Sequence, residues 1–399
     1  MRFKILFLFL IVGFTAFGQK DIVIGKTITF HSKIQNEDRL LDIHLPKNYE
    51  NSQKTYPVMY LLDSYYKFDK AVGTLNSLVL NELIPDMIII GIRNTRRNRD
   101  LTPGTEILDD ANKKRLPNAG GADAFTDFLG KELIPYVNKN YRAAPYKIIV
   151  GHSLGGLFNV YTFFKDPELF DAYLTISPSL WYENPILKKE LGEVLKDHQD
   201  IHSKFYMSIA NEGGTMLGNT YILTGKFTSY IKEHNDVDLQ FRFDPMFEYT
   251  HGTVSYPSIY NGLKFIFADL QYEVPRSKEE ILAKGGPQKV MEEIESYYSG
   301  LSEKYGFELS SENAMTDLGF ALMKEPEFLD AAVEAFKYNT EHYPDSFDAY
   351  STLGMAYEKK GEVEKARRNY ERALELVKAT GDPEWEFYQT DLDNLNAKE

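Results

Sequence analysis

Between residues 27 and 268 the chain alternates short apolar runs with stretches of helical periodicity. β-Branched and aromatic residues dominate 27–34, 40–45 and 58–62, which predicts three early strands. Further strands are predicted at 87–92, 147–150, 173–176, 205–210 and 239–243. Between them, 122–140, 157–164, 221–234 and 256–268 repeat apolar residues every three or four positions, which predicts helices. Apolar strands alternating with helices imply an α/β fold, a mostly parallel sheet covered on both faces. The hairpin-like spacing of the first strands implies a mixed edge. Residues 100–121 lack apolar periodicity and are rich in Asp, Asn, Pro and Gly. They predict a long surface loop, either bordering a functional site or forming a plain insertion.

The character changes near Glu273-Val274-Pro275-Arg276, and from Pro287 onward only helical periodicity remains. Tyr350, Leu353, Gly354 and Tyr357, followed by Ala366, Tyr370 and Ala373, match the tetratricopeptide pattern, with Tyr350 and Tyr370 in place of the usual Trp and Phe. A weaker copy precedes it: Leu318, Gly319 and Leu322, then Phe336 and Pro344. Two repeats are too few for a free-standing solenoid, so this module is expected to pack against the rest of the chain or a partner. The expected division is a signal peptide over 1–18, an α/β unit over 19–272, a linker over 273–286 and helical tetratricopeptide-like repeats over 287–399.

Arg2 and Lys4 precede an apolar run over 5–17, and Ala16 and Gly18 are small residues before Gln19. This is the pattern of a secretory signal cut before Gln19, and the run is short for a membrane span. The chain has no cysteine, which excludes a lipid-modified cysteine, disulfides and thiolate metal sites. A periplasmic or secreted mature chain without a membrane span is therefore expected. The net charge is −14, and residues 273–399 hold 28 acidic against 15 basic side chains, so nearly all of the excess lies there. With no basic face, nucleic acid is not an expected partner.

Lys147-Ile148-Ile149-Val150-Gly151-His152-Ser153-Leu154-Gly155-Gly156 joins a buried-strand run to a helical pattern through Gly-x-Ser-x-Gly. That is a nucleophile elbow, in which a sharp turn holds a serine hydroxyl clear of the sheet. A side chain at Gly151 or Gly155 is expected to collide where strand and helix cross. The order of elements is that of an α/β-hydrolase fold. A serine alcohol needs a base, and the base an orienting acid. Of the eight histidines, His31 and His44 lie in early strand patterns and His152 is the variable residue of the elbow. His198, His202 and His234 sit in or near helical segments, and His342 falls in the repeats. His251 remains, in a loop between the last strand and the last helix, where this fold presents its base. Glu212, just after the 205–210 strand, is the first candidate acid; Asp244 is the second, and Glu248 is close in sequence to His251. The developing oxyanion needs two donors, expected at the backbone N–H groups of Leu154 and Tyr65. Trp181, Tyr65 and Tyr66 could wall a substrate site or simply pack in the core. Arg93, Arg96, Arg97 and Arg99 could hold an anionic substrate, with Arg96 and Arg97 the nearest candidates, or form surface ion pairs. No metal-ligand spacing and no phosphate loop is present, so no cofactor is expected.

With these residues in place, the chain resembles the "Putative esterase" family of α/β hydrolases over roughly residues 21–270. The resemblance rests on Tyr56-Pro57-Val58-Met59-Tyr60-Leu61-Leu62-Asp63, Arg99-Asp100-Leu101-Thr102-Pro103, the elbow, and Ser177-Pro178-Ser179-Leu180-Trp181. It implies Ser153 as nucleophile, His251 as base, Glu212 as acid and oxyanion donors at Tyr65 and Leu154. One departure stands out: the family usually has Gly after the aspartate, and here it is Ser64. If that position needs positive φ, the loop would be strained. The expected activity is that of a secreted serine esterase on small-molecule esters, either siderophore-type esters or acylated carbohydrates. The alternative from another class is a non-catalytic scaffold that keeps the fold and recruits a protein partner, or a second copy, through its repeats.

Overall fold

The computed structural model describes residues 21–47, 49–104, 114, 116, 118–182, 189–196, 198, 201–234, 237–380 and 385–398. The signal segment expected over 1–18 and its cut before Gln19 lie outside the described residues, as does half of the loop expected over 100–121.

Eight strands form one sheet: β1 (Lys26–Ser32), β2 (Glu37–His44), β3 (Tyr56–Leu62), β4 (Ile88–Ile92), β5 (Ala143–His152), β6 (Ala172–Ile176), β7 (His202–Ala210) and β8 (Asp238–Met246). Their order is β1-β2-β4-β3-β5-β6-β7-β8. The pairs β1–β2 and β2–β4 are antiparallel and the remaining pairs are parallel, so the edge is mixed, as the early spacing implied. This is the α/β-hydrolase fold expected from the elements.

Alternation along the strands divides the apolar residues between two cores. Val58, Tyr60 and Leu62 of β3 join Ile149 and Tyr173 on one face, where they meet Phe158, Phe163 and Phe205. Met59 and Leu61 join Ile148, Leu174 and Tyr206 on the other. The second face is covered by α1 (Phe68–Leu80) and by a helix near the end of the unit. α2 (Leu154–Lys165) leaves the elbow and is buried along almost its whole length. The helix predicted over 122–140 is interrupted by a π turn over Leu129–Leu133. Pro135 follows at once and cannot donate its backbone hydrogen bond, which accounts for the widened turn. α3 (Gly214–Glu233) precedes β8, and α4 (Ser255–Ile266) closes the sheet.

The α-helices described beyond residue 277 are α5 (Lys278–Ala283), α6 (Pro287–Tyr305), α7 (Glu312–Met323), α8 (Leu329–His342), α9 (Phe347–Lys359), α10 (Val363–Thr380) and α11 (Trp385–Ala397). The repeats are visible as packing. A Cβ on Gly319 of α7 would stand 2.5 Å from the Phe336 ring of α8, and one on Gly354 of α9 would stand 2.7 Å from the Tyr370 ring of α10. In each hairpin a bare helix surface admits an aromatic ring from its partner.

The module is not merely tethered. Leu301, Tyr305 and Phe307 lie in the same core as Tyr146 and Phe267 of the α/β unit. The buried Lys204 ammonium donates to Ile266 O at 2.6 Å, Tyr305 Oη at 2.7 Å and Asp269 Oδ1 at 3.0 Å. Tyr297 and Tyr298 of α6 donate to the carbonyls of Asp269 and Leu270. α5 also forms a helix inside the segment expected as linker, with Ile281 buried against the repeats. Among the described residues no helix is long and apolar enough to cross a membrane.

Candidate active site

Three non-glycine residues with positive φ stand at the carboxyl ends of three adjacent strands: Asp63 after β3 (φ 58°), Ser153 after β5 (φ 62°) and Ser177 after β6 (φ 38°). Such backbone is costly and persists where the surroundings over-determine it. At Ser153 the surroundings are the elbow. A Cβ on Gly151 would stand 2.2 Å from Gly155 O, so only glycine fits there. The expectation for Gly155 is corrected: a Cβ there would meet Leu62 at an ordinary 3.5 Å. The second close approach is at Gly156, where a Cβ would stand 3.0 Å from Ile176 O and Pro178 Cα. The helix start thus presses against the loop after β6 rather than against β3.

The loops after β7 and β8 are tied by the Asn211 N–H donating to Tyr249 O at 3.0 Å. This brings Glu212 and His251 together across a sequence gap, with His251 Nδ1 and Glu212 Oε1 2.5 Å apart. Asp244 is engaged elsewhere: it accepts from Tyr206 Oη and Arg242 Nε, both at 2.8 Å. Glu248 is exposed. A cavity of about 590 Å³ is lined by Ser153, Leu154, Glu212 and His251, with Trp181 and Arg97 on its wall. Leu116 also lines it, so the segment expected as a loop does border this cavity. Ser153 Oγ lies 3.2 Å from Ser179 Oγ, and no hydrogen bond joins it to His251 among the described residues.

Leu154 opens α2, where the first backbone N–H groups have no intrahelical acceptor. Tyr65 lies in the short turn Ser64–Tyr66. The left-handed residue in this loop is Asp63, so Ser64 has an ordinary φ and the family's usual glycine is not needed there. Space for its side chain comes from Gly91 of β4, where an added Cβ would stand 2.6 Å from Ser64 Cβ. The Ser64 hydroxyl donates to Asp42 Oδ2 at 2.8 Å.

Asp63 fixes the loop. It accepts from Arg97 Nε at 2.7 Å and Nη2 at 2.9 Å, and from Asn94 Nδ2 at 2.6 Å. Burial alone would raise its pKa, but the Arg97 hydrogen bonds and charge, with Lys67 and Asn94, outweigh burial and hold it at about 2. Arg97 Nη2 also reaches His152 O at 3.4 Å, linking the loop after β3 to the elbow. The arginines are therefore largely spent on carboxylates: Arg93 on Asp42, Arg97 on Asp63, Arg99 on Glu37 and Asp100. Arg96 is exposed and outside the cavity lining. Tyr65 and Tyr66 pack edge to face at 4.9 Å, are each about two-thirds exposed and do not line the cavity. Of the expected aromatic wall, Trp181 alone does so.

His152 is the variable residue of the elbow's sequence pattern. Its buried ring lies 4.6 Å, centroid to centroid, from that of His251. Burial, with the charges of Lys67 and His251, presses its pKa down to about 3, so it is neutral beside the candidate base. Asn98, Thr215 and Met216 also line the cavity. No motif marks them; only the fold brings them there.

The sequence model of the family described as Putative esterase matches residues 32–231, and that of the Tetratricopeptide repeat matches 347–379. The chain is 30% identical over 175 residues to the ferri-bacillibactin esterase BesA of Bacillus subtilis (strain 168), covering 39% of this chain and 59% of that protein. It is 33% identical over 149 residues to a siderophore enterobactin esterase of Emericella nidulans, covering 33% and 49%. The match thus spans between about half and three-fifths of the length of these two relatives. Among solved structures, an IroE-like serine hydrolase from Shewanella oneidensis superposes with a TM-score of 0.61 at 26% identity, over 85% of this chain and 99% of that one.

Proposed function

The chain belongs to the family described as Putative esterase, whose chemistry is carboxylic-ester hydrolysis, and we propose that Ser153 is its nucleophile, with His251 as base and Glu212 as orienting acid. The observation that carries this is the 2.5 Å contact of Glu212 with His251 in the cavity that also presents Ser153. With Glu212 on Nδ1, His251 is left with Nε2 as the acceptor for the serine proton. Ser153 Oγ bonds to the ester carbon, and the carbonyl oxygen takes up charge facing the N–H groups of Leu154 and Tyr65. His251 returns the proton to the departing alcohol. Water then attacks the acyl group in the same way and releases the acid and free Ser153.

The substrate class we favour is a siderophore-type ester, supported by the two relatives named for such substrates. Export by the N-terminal signal is part of the same reading, supported by the Ala16–Gly18 pattern. The domain division is likewise proposed, with α6 as the element shared by both units.

The test is turnover of a chromogenic ester and of ferri-bacillibactin by three variants. Ser153→Ala is expected to lose at least about a thousandfold in kcat, and Glu212→Ala about a hundredfold or more. Asp244→Ala, held by Tyr206 and Arg242, is expected to stay within a few-fold of wild type. A larger loss in Asp244→Ala than in Glu212→Ala would overturn the acid assignment.

A further inference from the structure

Ser179 has no role in the mechanism above, yet its hydroxyl is the one nearest the nucleophile. Its N–H donates to Ser153 O at 3.0 Å, and its Oγ lies 3.2 Å from Ser153 Oγ. It is 2% exposed and lines the cavity. Among the described residues its hydroxyl has no other hydrogen-bond partner. The preceding turn is built to deliver it. Ser177 is held at φ 38°, its N–H donates to Ser208 O at 2.9 Å, and its Oγ accepts from Ala210 N at 2.9 Å. Gly156 leaves room for Pro178 to press on the start of α2. A strained turn anchored to β7 on one side and to the elbow on the other fixes Ser179 against Ser153.

The strand order decides which flank this is. β5 lies between β3 and β6. The Tyr65 loop leaves β3, on one side of Ser153. Ser179 leaves β6, on the other side, towards β7 and Glu212. Its hydroxyl therefore stands on the acid–base flank, away from the expected oxyanion donors. At 3.2 Å the hydroxyl pair is longer than a full-strength O–H···O bond, so Ser153 is loosely held and free to turn to His251.

We propose that Ser179 is a catalytic residue of the second half-reaction, one that orients the deacylating water. The proposal rests on Ser153 being the nucleophile. Before acylation Ser153 itself occupies the Ser179 hydroxyl. Once Ser153 Oγ is an ester oxygen, it has no proton to give and is a poor acceptor. The buried Ser179 hydroxyl then needs a new partner. A water on this flank can hydrogen-bond to Ser179 Oγ and give its proton to His251 Nε2. The water oxygen bonds to the acyl carbon, the carbon–Oγ bond breaks, and His251 passes the proton to Ser153 Oγ.

The test is stopped-flow hydrolysis of p-nitrophenyl butyrate by wild type, Ser179→Ala and Ser179→Thr, with intact-mass measurement of quenched samples. Loss of one neutral hydrogen bond in the transition state is worth about tenfold. In Ser179→Ala, kcat and KM are expected to fall together by about that factor, with kcat/KM unchanged within about twofold. A burst of one p-nitrophenol per enzyme and a butyryl adduct on Ser153 are expected to accompany it. Ser179→Thr keeps the hydroxyl and is expected to recover most of the lost kcat, with the adduct decaying several-fold faster than in Ser179→Ala. Equal falls in kcat and kcat/KM without a burst would overturn the proposal, as would an unchanged Ser179→Ala. If wild-type turnover survives Ser153→Ala, the parent reading fails and takes this one with it.

Discussion

Replacing Asp63 with Asn removes the charge that holds the loop after β3. Asn tolerates the left-handed backbone at φ 58° and has the same shape, but besides the charge it removes one of the two accepting oxygens, leaving an NH2 group that faces the Arg97 donors. Asp63 is buried, and its pKa is held at about 2 against an ordinary 3.8. A folded-state pKa below the unfolded one adds stability that is fully present above the unfolded value and is lost as pH falls through the folded one. The shift is worth about 2.5 kcal/mol at pH 7 and about 1.3 kcal/mol at pH 3. Arg97 is the stabilising partner. Lys67, 3.5 Å away, has its own pKa lowered because burial outweighs the pull of Asp63. The assay is urea unfolding followed by Trp181 fluorescence in a Trp385→Phe background, since these are the chain's two tryptophans and Trp385 lies in the repeats. Asp63→Asn is expected to lower stability by at least about 2.5 kcal/mol at pH 7, with the gap narrowing by about 1 kcal/mol at pH 3. A gap that is the same at both pH values, or absent at pH 7, would refute the assignment of the Asp63–Arg97 pair.

Two further outcomes follow from packing. Gly151→Ala forces a Cβ to within 2.2 Å of a backbone oxygen and is expected to cost about 3 kcal/mol or more, whereas Gly155→Ala, at 3.5 Å, is expected to cost under about 1 kcal/mol; thermal melts of both compare them directly. Tyr305→Ala removes a ring shared by the α/β core and α6 and is expected to destabilise the α/β unit by about 3–5 kcal/mol, while Tyr305→Phe loses only its hydrogen bonds, about 1–2 kcal/mol; equal effects would mean the ring itself contributes little.

The sheet and the elbow were legible because their signals are local. A β-branched run, Gly-x-Ser-x-Gly and a helical period occupy one short stretch. His251 was reached by elimination among eight histidines, and Glu212 by its place after a strand. Long-range pairing was not legible. Nothing in the sequence joins Asp63 to Arg97, or Lys204 to Tyr305, because only the fold closes those gaps. The arginine cluster suggests an anion site in sequence, but Arg93, Arg97 and Arg99 face Asp42 and Glu37 of β2, Asp63 just after β3 and the neighbouring Asp100. α1 carries an apolar spacing at Ala71, Val72, Leu75 and Leu78, a helical signal not among the elements predicted above. His152 and Ser179 lie inside recognised motifs, yet their contacts with His251 and Ser153 depend on how neighbouring strand ends converge.

The central claim is an activated serine at position 153. Labelling the purified protein with a fluorophosphonate probe, beside Ser153→Ala, tests it most directly. The account predicts labelling of the wild type on the peptide bearing Ser153 and none in the variant. A folded wild type that resists the probe, or a variant that labels equally well, would contradict it.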